Sequence, residues 1–210
     1  MPKPKVIVFD LDGVLIDSNK ITEEAFFRVF QNAPKNLYKE VLCGNFLDES
    51  DKVTLPKLQE TEEEKEKYRQ FYNTKKLECN VFKGVAELVK ELHTSGYILG
   101  LNTSTRIPSC LPPLAKYDID KLFSFVGTIE VDRSKVKKFN LIKEKYGVTG
   151  QDMLFVTDTL GDLREADEAG VPTVAVTWGI HDRSYFTREA HDNLVAIVDT
   201  VDELREKILQ

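Results

Sequence analysis

Asp10 and Asp12 stand one residue apart at the end of a short apolar run, Val6-Ile7-Val8-Phe9, with Gly13 behind them. Carboxylates at that spacing could serve phosphoryl chemistry. One can act as a nucleophile toward phosphorus, its neighbour can move a proton, and both offer hard oxygen to a divalent cation. An ordinary Asp-Gly turn after a strand would use the same residues. Two more polar sets follow apolar runs in the same way: Thr103-Ser104 after Tyr97–Leu101, and Asp158 with Asp162 after Met153–Val156. Turn chemistry explains any one of these, but convergence of all three asks for a common reason, because unpaired buried charge is costly.

The elements that must position these residues are legible in outline. The apolar runs Val6–Phe9, Tyr97–Leu101, Leu122–Val126, Met153–Val156, Val174–Val176 and Leu194–Val198 read as buried strands. Between them lie amphipathic stretches: Val85–Leu92, closed by Ser95-Gly96, Ser134–Tyr146, closed by Gly147, and Leu163–Ala169, closed by Gly170. A Pro-broken helix is expected around Pro108–Lys116, and Thr200-Val201-Asp202-Glu203 caps a last helix. Strands alternating with helices predict βαβ units and a parallel sheet, whose strand C-termini share one ligand-binding edge.

Residues 18–80 carry no strand signal. A helix is expected from Ile21 to Phe30, with Thr22-Glu23-Glu24 in its first turn, and a short helix and loop from Leu37 to Leu47 with a break at Gly44-Asn45. Thr61-Glu62-Glu63-Glu64 reads as a capping box before a helix with Tyr68, Phe71, Tyr72 and Leu77 on one face, and the charged run Glu62–Arg69, with Glu63 and Lys67 four apart, as its solvated side. The expected organisation is an α/β core from residues 1–17 and 81–210, with a helical insertion from 18–80.

Composition narrows the function. The 210 residues are 41% hydrophobic and 30% charged with a formal net charge of −6, ordinary for a globular protein and without the basic block that nucleic acid would ask for. No apolar run spans a bilayer and no h-region precedes the first strand, so a cytoplasmic protein with no membrane partner is expected. The three cysteines, Cys43, Cys79 and Cys110, lack CxxC spacing and are expected to be plain thiols.

In order and spacing these motifs resemble the haloacid-dehalogenase-like (HAD) superfamily of phosphohydrolases. Asp10-Leu11-Asp12-Gly13-Val14 is similar to its first motif, Thr103 to its second, and Asp158-Thr159-Leu160-Gly161-Asp162 to its fourth. Phe82-Lys83-Gly84-Val85 resembles the segment that re-enters the core after a small helical cap of the C1 type. The resemblance implies a Rossmann-like three-layer α/β/α core with a parallel sheet and a helical cap inserted after the first strand.

It also implies roles. Asp10 would be the nucleophile that forms an aspartyl-phosphate, and Asp12 the general acid and then base. Thr103, with Ser104, would hold the phosphoryl oxygens. Mg²⁺ would be held by Asp10, the backbone carbonyl of Asp12, Asp158 and Asp162. Asp162-Leu163-Arg164-Glu165 also reads as a capping box, a role compatible with the first. Thr157 stands where many relatives have Gly. The basic residue of the third motif falls on Lys135 by counting back from Gly147, with Lys138 and Arg133 as alternatives. Asn45 resembles part of the cap's specificity loop, although a helix break accounts for Gly44-Asn45 as well. Arg106 could reach substrate or be a solvated loop residue. His181 and Asp182 follow the fifth strand on the correct edge, ordinary loop roles being their alternative, and His93 suits a helix C-terminus.

The resulting expectation is a Mg²⁺-dependent phosphatase of a small phosphorylated metabolite. A β-phosphoglucomutase-like phosphomutase would share every motif, and a non-catalytic phosphate-binding or regulatory module is the alternative from another class. Substrate and oligomeric state are left open.

Overall fold

The computed structural model describes residues 4–30, 33–53 and 61–209; within the last two segments the side chains of Leu47, Asp51, Glu62, Glu64, Lys65 and Lys67–Arg69 are not described. The expected roles of Glu64 in a cap, of Lys67 beside Glu63 and of Tyr68 on an apolar face therefore lie outside the described residues.

Six parallel strands form one sheet in the order β3-β2-β1-β4-β5-β6: β1 (Val6–Phe9), β2 (Ile98–Asn102), β3 (Phe123–Gly127), β4 (Met153–Thr157), β5 (Thr173–Val176) and β6 (Leu194–Val198). The order makes β1 the turning point, with β2 on one side and β4 on the other. Val6, Ile7, Val8 and Phe9 are buried on both faces, which explains their unbroken apolar run. Ile7 and Phe9 pack into one apolar layer with Val85, Leu88, Val89 and Leu92. Val6 and Val8 pack into the opposite layer with Phe139, Ile142 and Phe155. Burial of each such side chain contributes about 1.5–3 kcal/mol, so the two layers fix the register of β1 firmly.

The covering helices are α5 (Val85–Thr94), α6 (Ile107–Ala115), α7 (Lys135–Tyr146), α8 (Leu160–Ala169), α9 (Arg183–Phe186) and α10 (Val201–Leu209). Ahead of them, between β1 and β2, come α1 (Asn19–Val29), α2 (Leu37–Val41), α3 (Phe46–Lys52) and α4 (Glu62–Leu77). A hydrophobic cluster rich in aromatic rings holds this inserted group: Phe26, Phe30, Tyr38 and Val41, with Phe46 packed against them.

Several expectations are corrected. The first inserted helix begins at Asn19, so Thr22-Glu23-Glu24 is not its opening turn. Ser18 sits at its N-cap without a side-chain cap, because its hydroxyl is turned to Asp12. Gly44-Asn45 separates two helices, and the stretch beyond it is α3 rather than loop. Leu77 is exposed, not part of the apolar face. The prolines do not break α6: Pro108 lies in its first turn and Pro112 and Pro113 sit inside it. The fourth-motif helix starts at Leu160, capped by Thr159, whose hydroxyl accepts from the Asp162 amide; Asp162 is therefore inside the first turn and is no N-cap.

Candidate active site

The strand ends converge as the topology requires. The Asp10 amide donates to the Val156 carbonyl (2.9 Å), and the Thr103 amide to the Gly127 carbonyl (2.9 Å), so both residues are still tied to the sheet when their side chains reach its edge. Gly13 turns the chain immediately afterwards at φ +72°. A Cβ at Gly13 or at Gly179 would collide with the Asp158 carboxylate, so these two glycines form the walls of its slot.

Lys135 is the pivot of the charge arrangement. Its Nζ lies 2.8 Å from Asp10 Oδ1 and 2.9 Å from Asp162 Oδ2, and donates to the Asn102 carbonyl (2.8 Å). The side chain is almost fully buried. Burial disfavours its charge, yet Asp10 and Asp162 outweigh that and hold its pKa above the ordinary lysine value. Asp162 also accepts from the Thr157 hydroxyl (2.8 Å), a bond that glycine at 157 could not make. Behind Lys135, Glu165 accepts from its backbone amide (2.8 Å) and from Ser134 (3.4 Å), so Glu165 braces the start of α7 and does not close a capping box.

Asp10 shares Lys135 with Asp162, and burial acts strongly on both Asp10 and Asp158. Burial pushes the Asp10 carboxyl up to about 7; Lys135 opposes that, and Asp162 adds to it. Burial, and then the neighbouring Asp10, place Asp158 well above the carboxylate range. The Ile180 amide donates to Asp158 Oδ2 (2.8 Å), but Oδ1 is buried with no hydrogen-bond partner. An orphaned carboxylate oxygen beside a second carboxylate fits a hard divalent cation. Among the described residues no three His, Cys, Asp or Glu side chains gather closely enough to hold a metal alone. A cation here would be completed by backbone carbonyl and water, as Mg²⁺ commonly is.

Asp12 is engaged by partners that its local sequence does not announce. Ser18 donates to Oδ1 (2.5 Å) and Thr105 to Oδ2 (2.6 Å). Lys76, near the C-terminal end of α4, places its ammonium 2.6 Å from Oδ2, and it also donates to the Thr105 and Tyr72 hydroxyls. Burial would raise the Asp12 pKa, but Lys76, with Ser18 and Thr105, outweighs it and holds the carboxyl below its usual value. These contacts commit the Asp12 carboxylate, so only its backbone carbonyl is left to face a metal.

The remaining candidates separate. Thr103 Oγ1 accepts from the Thr105 amide (3.0 Å), forming a tight turn, and Ser104 lines the same cavity. Lys138, fully buried, donates to the Thr103 carbonyl (2.8 Å) from one turn beyond Lys135; Arg133 is exposed. Asn45 turns toward Glu165 (3.2 Å) on the cavity rim. Arg106 is exposed, 3.7 Å from Glu130. His181 is fully buried and points away from the cavity: Nδ1 accepts from the Leu160 amide (2.9 Å), so Nε2 carries the proton and lies 2.9 Å from the Lys39 carbonyl of α2. Asp182 is exposed and caps α9, and His93 is exposed in the last turn of α5.

Asp10, Asp12, Thr103, Lys135, Asp158 and Asp162 all line one cavity of about 430 Å³ between the sheet edge and the inserted helices. Lys76, Ser18 and Thr105 carry no expected site role in the sequence, and Glu165 figures there only as the end of a capping box.

A sequence model of the haloacid dehalogenase-like hydrolase family matches residues 7–176. Pyrophosphatase PpaX of Bacillus cereus (strain AH820) is 30% identical over 189 residues, 87% of this chain and 88% of the relative. Tyrosine-protein kinase PtkA of Mycobacterium tuberculosis (strain ATCC 25618 / H37Rv) is 26% identical across 98% of this chain and 72% of its own. Among solved structures, the haloacid dehalogenase-like family protein SP0104 of Streptococcus pneumoniae shares the fold at a TM-score of 0.77, with 20% identity and 100% of both chains covered. The matched family model covers most of the strands and the motif residues at their ends, and on that ground the chain belongs to the haloacid dehalogenase-like hydrolases, as one of their phosphohydrolases.

Proposed function

We propose that the protein is a Mg²⁺-dependent phosphatase of a small phosphorylated metabolite, working through an aspartyl-phosphate on Asp10. The observation that carries this reading is the division of labour between the two aspartates: Lys135 holds Asp10 and Lys76 holds Asp12, on one wall of one cavity. The name of the relative PpaX, a pyrophosphatase, agrees with hydrolysis at phosphorus. Residues 18–80 would act as the cap and residues 1–17 with 81–210 as the catalytic core.

In this reading an Asp10 oxygen attacks phosphorus and the P–O bond to the alcohol breaks. Asp12 protonates the departing oxygen, then takes a proton from the water that cleaves the aspartyl-phosphate. Thr103 and Ser104 position the phosphoryl oxygens, and Lys135 offsets the charge that gathers on Asp10. Lys76 favours the carboxylate form of Asp12, which suits the water-activating half; delivery of the proton calls for a looser grip. Asp10, Asp158 and the Asp12 carbonyl would hold Mg²⁺, with Asp162 behind them, and when bound the cation shields Asp10 from phosphate and stabilises transition-state charge. The free thiols Cys43, Cys79 and Cys110 support a cytoplasmic setting.

The test is a panel of phosphate esters, with Mg²⁺ or with chelator, on wild type and Asp10→Asn. Mg²⁺-dependent phosphate release without any added bisphosphate is expected, with a loss of about a thousandfold in the variant, the scale for removing a covalent nucleophile. Turnover retained in Asp10→Asn would overturn the mechanism.

A further inference from the structure

Part of the cavity's lining is built from different chemistry, and it adjoins Asp158, whose carboxylate accepts from the Ile180 amide. This wall is formed by Phe26, Tyr38, Leu42 and Phe46 of the inserted helices, with Ile180 from the sheet side. Ring centroids lie 5.3 Å apart for Phe26 and Tyr38 and 6.5 Å apart for Phe26 and Phe46, so this wall is one aromatic cluster. Neutral polar pairs line the same cavity. Ser109 donates to Asn73 (2.6 Å), and the Tyr38 hydroxyl to Thr22 (2.7 Å).

Among the described residues, the cations that line the cavity or reach its edge face carboxylates. Lys135 lies between Asp10 and Asp162, Lys76 against Asp12, and Arg106 opposite Glu130. A leaving group that bore a second phosphate or a carboxylate would shed water against phenylalanine rings while those cations stayed committed. Stripping water from a charge without pairing it is the costliest form of burial. A ring or alkyl face gains from the same wall through apolar burial and offset or edge-on aromatic contact.

Resting on the phosphatase reading for where the phosphoryl group sits, we infer that the released alcohol is uncharged and presents an apolar or aromatic face to Phe26, Tyr38 and Phe46. Asn73 and Ser109 offer it neutral hydrogen bonds. The substrate class is thus a phosphate monoester of a neutral, partly apolar alcohol, unlike pyrophosphate or a phosphorylated hydroxy acid. A cavity of about 430 Å³ is within the range that encloses small organic ligands.

A matched pair of non-hydrolysable phosphonates tests this independently of turnover. 2-Phenylethylphosphonate and 3-phosphonopropionate share the phosphonate and the two-carbon spacer and differ in ending on a ring or a carboxylate. In calorimetric titrations of the Mg²⁺-loaded protein, the phenyl compound is expected to bind at least about tenfold more tightly, and Phe46→Lys to shrink that ratio at least about fivefold. Equal or tighter binding of the carboxylate compound, or a ratio unmoved by Phe46→Lys, overturns the inference. The corresponding esters, benzyl phosphate and 2-phosphoglycolate, which carry oxygen in place of the bridging methylene, are assayed in parallel and separate the two readings. A binding preference with no ester turned over counts against the phosphatase and upholds the pocket's chemistry, whereas turnover with the opposite preference does the reverse.

Discussion

Lys76 and Asp12 meet at 2.6 Å although 63 residues lie between them, and the contact joins the last turn of α4 to the end of β1. Lys76 is fully enclosed while Asp12 keeps an edge open to the cavity. The docked position of α4 and the charge state of Asp12 are therefore one variable. Replacing Lys76 with Met removes the largest opposition to burial at Asp12, leaving only the Ser18 and Thr105 hydroxyls against it, and the Asp12 pKa rises. Asp12 must be protonated to expel the alcohol, so it sets the alkaline limb of the kcat/KM profile, which should move to higher pH, and kcat should fall about a hundredfold, the lower end for a disturbed general acid or base. Lys76→Arg, which restores the charge in a bulkier form, should recover part of the shift. A pH profile unchanged in Lys76→Met would show that the pair only holds the helix.

Asp158 is confined by Gly13 and Gly179 on either side. Gly179→Ala should force the carboxylate aside, destabilise the fold by about 1–3 kcal/mol as overpacking does, and abolish the rise in Tm expected when Mg²⁺ is added. Asp158→Asn should abolish the same rise without overpacking. Thermal melts of both variants with and without Mg²⁺ check this; a full Mg²⁺ response in Asp158→Asn would remove Asp158 from the metal set.

Lys138 is buried beside Lys135, and burial, with Lys135's charge second, brings its pKa down to about 8. A lysine whose pKa is depressed on folding opposes the folded state at low pH, because the unfolded chain binds the proton more readily. Wild-type stability should therefore rise between pH 8 and about 10.5 by about 3 kcal/mol at most. Lys138→Met should lack that rise. It should also lower kcat, since the Thr103 carbonyl loses its donor and the Thr103–Thr105 turn its brace. Urea denaturation across that pH range, with kcat measured at pH 7, separates the two effects.

The strands, their order of appearance and the convergence of Asp10, Asp12, Thr103, Asp158 and Asp162 on one edge were legible because each signal is local. An apolar run ends and a polar residue follows. Lys135 was reachable by counting back from the αL cap at Gly147. The start of α8 was misplaced because Leu160-Gly161 does not look helical, and only the Thr159 cap reveals it. Lys76 was not legible, since the charges of α4 read alike along the chain and no local pattern says which one is turned inward. The tie that His181 makes was not legible for the same reason: its partners, Leu160 and Lys39, lie far from it in sequence.

His181 supplies the last prediction. It ties the start of α8 to α2 while fully buried, and burial brings its pKa down to about 4. Its Nδ1 accepts a hydrogen bond, so protonation there breaks the contact with Leu160 and places a cation near Lys39 and Arg188, with Glu40 the only opposing charge among the causes acting on it. The folded pKa is depressed below the unfolded value of about 6.5, so the stability this residue gives is present above 6.5 and is lost as pH falls toward 4. The loss should approach about 3 kcal/mol at full protonation. His181→Gln, which can still bridge two backbone groups but does not titrate, should be less stable than wild type at neutral pH and flatter between pH 4 and 6.5. Denaturation midpoints with the same acid slope in both proteins would assign the acid sensitivity to the carboxylates instead.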